Sequence, residues 1–140
     1  MLVMSATKVR NEWSAVVDTV IRDKPMLIKR TRDYMFLSDV GFLNELLTAY
    51  VFHAQVFTED DGSTTISLDE IDLIENSASE QEALLKLAEA IYEYSKDYYN
   101  DYSYWARGDR KAHMPYVIKS LLLDDVEKIG GLIQCRHGKS

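Results

Sequence analysis

At Tyr50 the apolar residues of this chain change period, and that change limits what it can fold into. Before it, Val9, Trp13, Val16, Val17, Val20 and Ile21 follow steps of 4, 3, 1, 3 and 1, the spacing of one stripe on a helix. After it, Tyr50, Phe52, Ala54 and Val56 alternate with Val51, His53, Gln55 and Phe57, as in a strand covered on both faces. A chain that holds both patterns is neither all-α nor all-β, and an α+β fold is expected. With 140 residues, 46% of them apolar and 28% charged, it has a globular composition and room for one domain or two small ones.

Local signals order the elements. Met1–Met4 reads as a short strand, and Ser5 or Thr7 can cap a helix from about Thr7 to Arg22. Lys24-Pro25 ends that helix, because proline disfavours helical geometry in the residue before it. Met26–Ile28 and Tyr34–Leu37, joined by the polar run 29–33, make a hairpin, and Ser38-Asp39 opens a second helix with Phe42, Leu43, Leu46 and Leu47. After the strand from Tyr50, an Asp61-Gly62 turn leads to strands at Thr64–Leu68 and Ile71–Ile74. Ser77 or Ser79 then caps a long helix bearing Ala83, Leu84, Leu87, Ala88, Ile91 and Tyr94 or Tyr98. Pro115 suits the first turn of a helix reaching Leu123, and a last helix, Asp124–Ile129, stops at Gly130-Gly131, after which the chain is expected to fray. The expected organisation is a β-α-β-β-α unit over residues 1–48, then a β-β-β-α unit with extra C-terminal helices over 49–140.

Charge divides the chain at the same place. Residues 1–50 hold seven basic and six acidic side chains, whereas 51–140 hold nine basic and seventeen acidic, giving +1 and −8 of the total −7. Partners of opposite sign for the two halves are one explanation, and an uneven solvated surface is the other. No apolar run approaches the roughly 18 residues of a membrane span, the start has no secretory pattern, and the single Cys135 cannot form an internal disulfide. A cytoplasmic protein without membrane contact is expected.

Chemistry is sparse. Asp60, Asp61, Asp69, Glu70 and Asp72 crowd a turn without EF-hand or nuclease spacing, and Cys135-Arg136-His137 has no second ligand pair nearby apart from His113 and His53. Gly138-Lys139-Ser140 copies the end of a phosphate loop without its first glycine. No nucleophile, base or metal set converges, so neither an enzyme nor a cofactor is expected. The basic residues Lys8 and Arg10 at a helix start, and Lys29, Arg30 and Arg32 at the hairpin tip, suit phosphate contacts on nucleic acid, the alternative being ordinary solubilising surface charge. The aromatic run Tyr92, Tyr94, Tyr98, Tyr99, Tyr102, Tyr104 and Trp105 lies among Glu93, Asp97 and Asp101, which repel phosphate; the run reads either as a protein-binding face or as a helix side packed in the core with the rest as rim.

The stretch Met4-Ser5-Ala6-Thr7-Lys8-Val9-Arg10-Asn11-Glu12-Trp13-Ser14, followed by Lys24-Pro25-Met26-Leu27-Ile28-Lys29-Arg30 and Phe36-Leu37-Ser38-Asp39, resembles the Phd/YefM-type antitoxins over residues 1–48. The resemblance implies a dimeric DNA-binding unit that represses its own operon, with Arg10 and Arg30 as operator contacts. Lys8 stands where that pattern usually has an acidic residue, and the hairpin lacks its usual glycine tip. Phe52–Phe57, Asp61-Gly62, Thr64–Leu68 and the helix entered through Ser79-Glu80-Gln81-Glu82-Ala83 are similar to HicB-type antitoxins over about 50–96, which implies a folded, toxin-facing module without catalysis. Together they describe an antitoxin of a type II toxin–antitoxin system. Its DNA contacts would be Lys8, Arg10, Lys29, Arg30 and Arg32. Its partner contacts would be Tyr99, Tyr102, Trp105, Asp97 and Asp101. The expected partners are a basic, ribonuclease-like toxin, operator DNA and further copies in a homodimer or larger homo-oligomer. The alternative is a solitary DNA-binding regulator without a toxin.

Overall fold

The computed structural model describes residues 3–138, and the chain divides into two compact units, Met1–Leu46 and Leu47–Ser140. In the first, the order is β1 (Val3–Ser5), α1 (Ala6–Asn11), α2 (Trp13–Arg22), β2 (Met26–Arg30), β3 (Asp33–Leu37) and α3 (Val40–Leu46). Residues 1 and 2 of the expected first strand lie outside the described residues. The single expected helix is two, because the backbone departs from helical geometry at Glu12 (φ −117°, ψ 34°). Ser5 caps the first of them, its Oγ accepting from the Lys8 amide at 3.2 Å, and Asp39 Oδ1 accepts from the Phe42 amide at 2.7 Å where α3 begins.

The helices cross over between parallel strands β1 and β2, and β3 returns antiparallel to β2, giving the sheet order β1-β2-β3. The hairpin turn is only Thr31-Arg32, with Thr31 in the left-handed region at φ 54°, where a β-branched residue is strained. Val9, Val16, Val20 and Ile28 form the small core. The six-residue stripe is narrower than its spacing suggests, since Trp13 and Ile21 are 52% and 61% exposed.

The second unit contains β4 (Phe52–Thr58), β5 (Thr64–Leu68), β6 (Ile74–Ser77), α4 (Glu80–Asn100), α5 (Tyr102–Trp105), a 3-10 turn at Gly108–His113, α6 (Met114–Leu123), α7 (Val126–Gly131) and β7 (Ile133–His137). Two expectations are corrected here, and the choice of cap for α4 is decided. The strand at Ile71–Ile74 begins only at Ile74, because Ile71–Leu73 forms a tight turn with the Leu73 amide donating to the Ile71 carbonyl at 2.7 Å. Ser79, not Ser77, caps α4, its Oγ accepting from the Glu82 amide at 3.2 Å, while Ser77 ends β6. The segment expected to fray is β7, which pairs parallel to β4 from Phe52↔Ile133 to Val56↔His137. The sheet is therefore four-stranded, in the order β6-β5-β4-β7.

The alternate residues Phe52, Ala54 and Val56 of β4 and Ile66 and Leu68 of β5 are buried with Ala83, Leu87, Ala88 and Ile91 of α4, whose spacing of four, one and three is one helical face. Ile129 and Ile133 close the core from α7 and β7. Burial of this apolar face, at roughly 25 cal/mol per Å² removed from water, holds the unit together. Tyr98, fully buried, donates its hydroxyl to the Arg110 carbonyl at 2.8 Å and so fixes the 3-10 turn against the end of α4.

Candidate partner and nucleic-acid surfaces

All five basic candidates of the first unit are exposed, but they do not converge on one spot. Lys8 and Arg10 are two residues apart on α1 and so do not share a face. Arg10 borders an apolar groove of about 630 Å³ made with Trp13, Ile28, Met35 and Phe36, while Lys8 borders a smaller one with Met4, Glu12 and Met26. On β2 the alternation puts Arg30 on the same sheet face as Ile28, and Lys29 on the other, with its Nζ 5.5 Å from the Tyr34 ring centroid. Arg32 stands on the turn itself. The loop 29–33 expected from the sequence is thus mostly strand, and its cations are divided between two faces and a tip.

The acidic turn residues have structural partners in the second unit. Asp61 Oδ1 accepts from both the amide and hydroxyl of Ser63, at 2.9 and 2.5 Å, which holds its carboxyl below the usual range. Glu70 accepts from the His53 amide at 2.6 Å and lies 3.0 Å from His53 Nδ1. Asp69 pairs with Arg136, and Glu80 lies 2.5 Å from His137 Nε2, so Arg136 and His137 tie β7 to the rest of the unit. Burial raises the Cys135 thiol pKa. Gly138 lies where an added Cβ would meet the Phe57 ring at 2.6 Å, a packing role rather than part of a phosphate loop. Lys139 and Ser140 lie outside the described residues.

The aromatic run folds back on itself around α4. Tyr94 stacks with Tyr98 and Trp105 at 5.8 and 5.6 Å between centroids, and its hydroxyl is 2.7 Å from His113 Nδ1. Arg110 lies 4.9 Å from the Trp105 ring and 5.1 Å from Tyr104, and its guanidinium donates to the Tyr104 carbonyl at 3.0 Å. Tyr94, Trp105, Arg110 and His113 border a groove of about 470 Å³, whose other walls are Ile71, Asp72 and Leu73 from the turn before β6 and Ala90, Glu93 and Asp97 from α4. Burial lowers the His113 pKa, with Asp72 opposing, and burial raises those of Tyr94 and Tyr98.

Of the five expected partner residues, the groove brings together Trp105 and Asp97. Tyr99 and Tyr102 are exposed outside it, Tyr102 packing on Tyr98 and Met114, and Asp101 serves the backbone, its carbonyl accepting from the Tyr104 and Trp105 amides. Sequence reasoning missed Asp72, Arg110 and His113 as neighbours of these rings: Asp72 precedes the run by twenty positions, and Arg110 and His113 follow Trp105 closely but reach Tyr94 only because the chain folds back on α4. Among the described residues no group of three or more His, Cys, Asp or Glu is placed to hold a metal, and no helix is long and apolar enough to cross a membrane.

Fold and surfaces define a two-unit α+β protein built for binding. The chain belongs to the PHD-like family described as "Antitoxin of toxin-antitoxin, RelE / RelB, TA system", whose model matches residues 1–135. It is also similar to the crystal structure of an antitoxin from Syntrophomonas wolfei subsp. wolfei, with a TM-score of 0.93 and 37% identity over 99% of this chain and 100% of that one. No curated protein matches the sequence.

Proposed function

We propose that this antitoxin neutralises a basic, ribonuclease-like toxin with its second unit and represses its own operon with its first, in the manner of Phd/YefM antitoxins. The observation that carries this reading is the unequal charge of two separately cored units, about neutral before residue 50 and −8 beyond it. An acidic surface speeds capture of a basic toxin and covers its RNA-facing side. The second unit acts as a HicB-like module, with Tyr99, Tyr102, Trp105, Asp97 and Asp101 at the toxin contact. Lys8, Arg10, Lys29, Arg30 and Arg32 hold operator DNA through its phosphates.

Met35, Phe36 and Leu46 are at least half exposed in a unit of 46 residues, and the groove beside Arg10 and Trp13 is almost wholly apolar. Such a surface supports assembly into a homodimer or larger homo-oligomer in the cytoplasm. Co-expression with the protein encoded beside it, followed by titration with a duplex from its own promoter at two salt concentrations, tests the reading. A stable complex is expected. Arg10→Ala and Arg30→Ala should each weaken DNA binding and flatten the salt slope by about 0.9 per lost phosphate contact. Absence of any complex refutes the toxin half, and salt-insensitive binding to every duplex refutes the operator half.

A further inference from the structure

We propose that the groove between Tyr94, Trp105 and the turn before β6 seats one arginine side chain of the toxin, with its guanidinium between Asp72 and Asp97. This rests on the antitoxin reading above and names what that surface recognises.

Four elements meet there, the 3-10 turn contributing Arg110 and His113. α4 presents Glu93, Tyr94 and Asp97, the turn presents Asp72 and Leu73, and the end of α5 presents Trp105. Leu73 and the two rings form an apolar wall of the kind along which a methylene stem lies while its charged head stays near water. The three carboxylates differ in availability. Glu93 is engaged by Lys96 at 2.8 Å, whereas Asp72 and Asp97, both exposed, make no side-chain hydrogen bond or ion pair among the described residues and act on His113 and Lys96 through their charge alone.

Among the described residues that line the groove Arg110 is the one positively charged side chain, and it is already stacked on Tyr104 and Trp105 and bonded to the Tyr104 carbonyl. Burial disfavours the charged form of His113, which works against its supplying the groove with a positive charge. Two carboxylates without a hydrogen-bonded partner among the described residues therefore stand beside rings that already hold one guanidinium, and the local charge favours a second cation. A phosphate would meet those carboxylates and be repelled, which excludes nucleic acid as the occupant. Arginine fits better than lysine, because its planar, weakly hydrated group stacks on aromatic rings and takes two hydrogen bonds to one carboxylate. The acidic surplus of the whole unit directs a basic protein to this face.

The chain has two tryptophans, so Trp13→Phe, at an exposed position, leaves Trp105 as the sole reporter. Fluorescence of that full-length variant is titrated with the tripeptide acetyl-Gly-Arg-Gly-amide and with its neutral citrulline counterpart. A saturable change with the arginine peptide is expected, weaker by about tenfold with citrulline or after Asp72→Asn or Asp97→Asn. No saturable change, or equal binding of the citrulline peptide, overturns the proposal. In a second arm, the double variant Asp72→Asn/Asp97→Asn is titrated with the toxin encoded beside it, its fold checked by circular dichroism. A dissociation constant raised about tenfold or more supports the proposal. An unchanged constant overturns it and leaves the antitoxin reading standing. Failure of the unaltered chain to bind that toxin refutes the antitoxin reading itself.

Discussion

His113 connects the residue scale to solution behaviour. Burial disfavours its charged form and lowers its pKa, and the nearby Asp72 carboxylate partly opposes this. The unfolded chain therefore takes up this proton first as pH falls. Stability is unaffected by His113 well above the ordinary value near 6.5, and declines between that value and the lower folded one. Asp72→Asn removes the opposing charge, so the folded pKa should fall further and the acid-side loss should grow. An NMR titration of the His113 ring, which must be separated only from His53 and His137, reads this directly. A ring that titrates at or above the ordinary value would contradict the proposed burial. The coupling of Asp72 to His113 was not legible in the sequence, where 41 positions separate them. The alternation of Phe52, Ala54 and Val56 was legible, because strand burial is a local pattern.

At the scale of elements, β7 shows why the end of the chain misled sequence reasoning. Ile133-Gln134-Cys135-Arg136-His137 follows two glycines, holds little apolar periodicity, and pairs in parallel with a strand some 80 positions earlier. Local pattern carries no trace of such a partner, since parallel strands are joined by long crossovers. β6 was displaced for the opposite reason. The apolar residues Ile71, Leu73 and Ile74 suggested a strand, but Ile71 is buried from a turn and the true strand continues through the polar Glu75, Asn76 and Ser77. The end of β7 can be tested through Gly138, whose amide donates to the Val56 carbonyl at 2.8 Å beside the Phe57 ring. Gly138→Ala places a methyl 2.6 Å from a ring carbon that is not the tip of a flexible chain. The variant should lose about 1–3 kcal/mol, with faster hydrogen exchange along β7, because either the ring or the strand end must move. Thermal unfolding and exchange rates equal to those of the unaltered chain would show that β7 does not hold this position.

For the whole molecule, the two units differ in how well each can stand alone. The first buries four apolar side chains, Val9, Val16, Val20 and Ile28, and leaves Trp13, Ile21, Met35, Phe36 and Leu46 at least half exposed. A unit of under 50 residues with so small a core is marginal without a second copy to cover it. The second unit encloses twelve buried core residues from its sheet, α4, its Ile71 turn and α7, and its C-terminal strand returns to pair beside β4. A segment that folds only on binding has too little apolar density for such a core. The fragment 49–140 should therefore give dispersed amide resonances and one cooperative unfolding transition without toxin. The fragment 1–48 should lose structure on dilution as its copies separate. Toxin binding by 49–140 should then carry little ordering cost and should quicken at low salt, because a preformed acidic surface steers a basic partner. If 49–140 is unfolded alone and acquires structure only when toxin is added, the second unit works by coupled folding and binding. The preformed groove at Tyr94 and Trp105 would then have no existence before the complex.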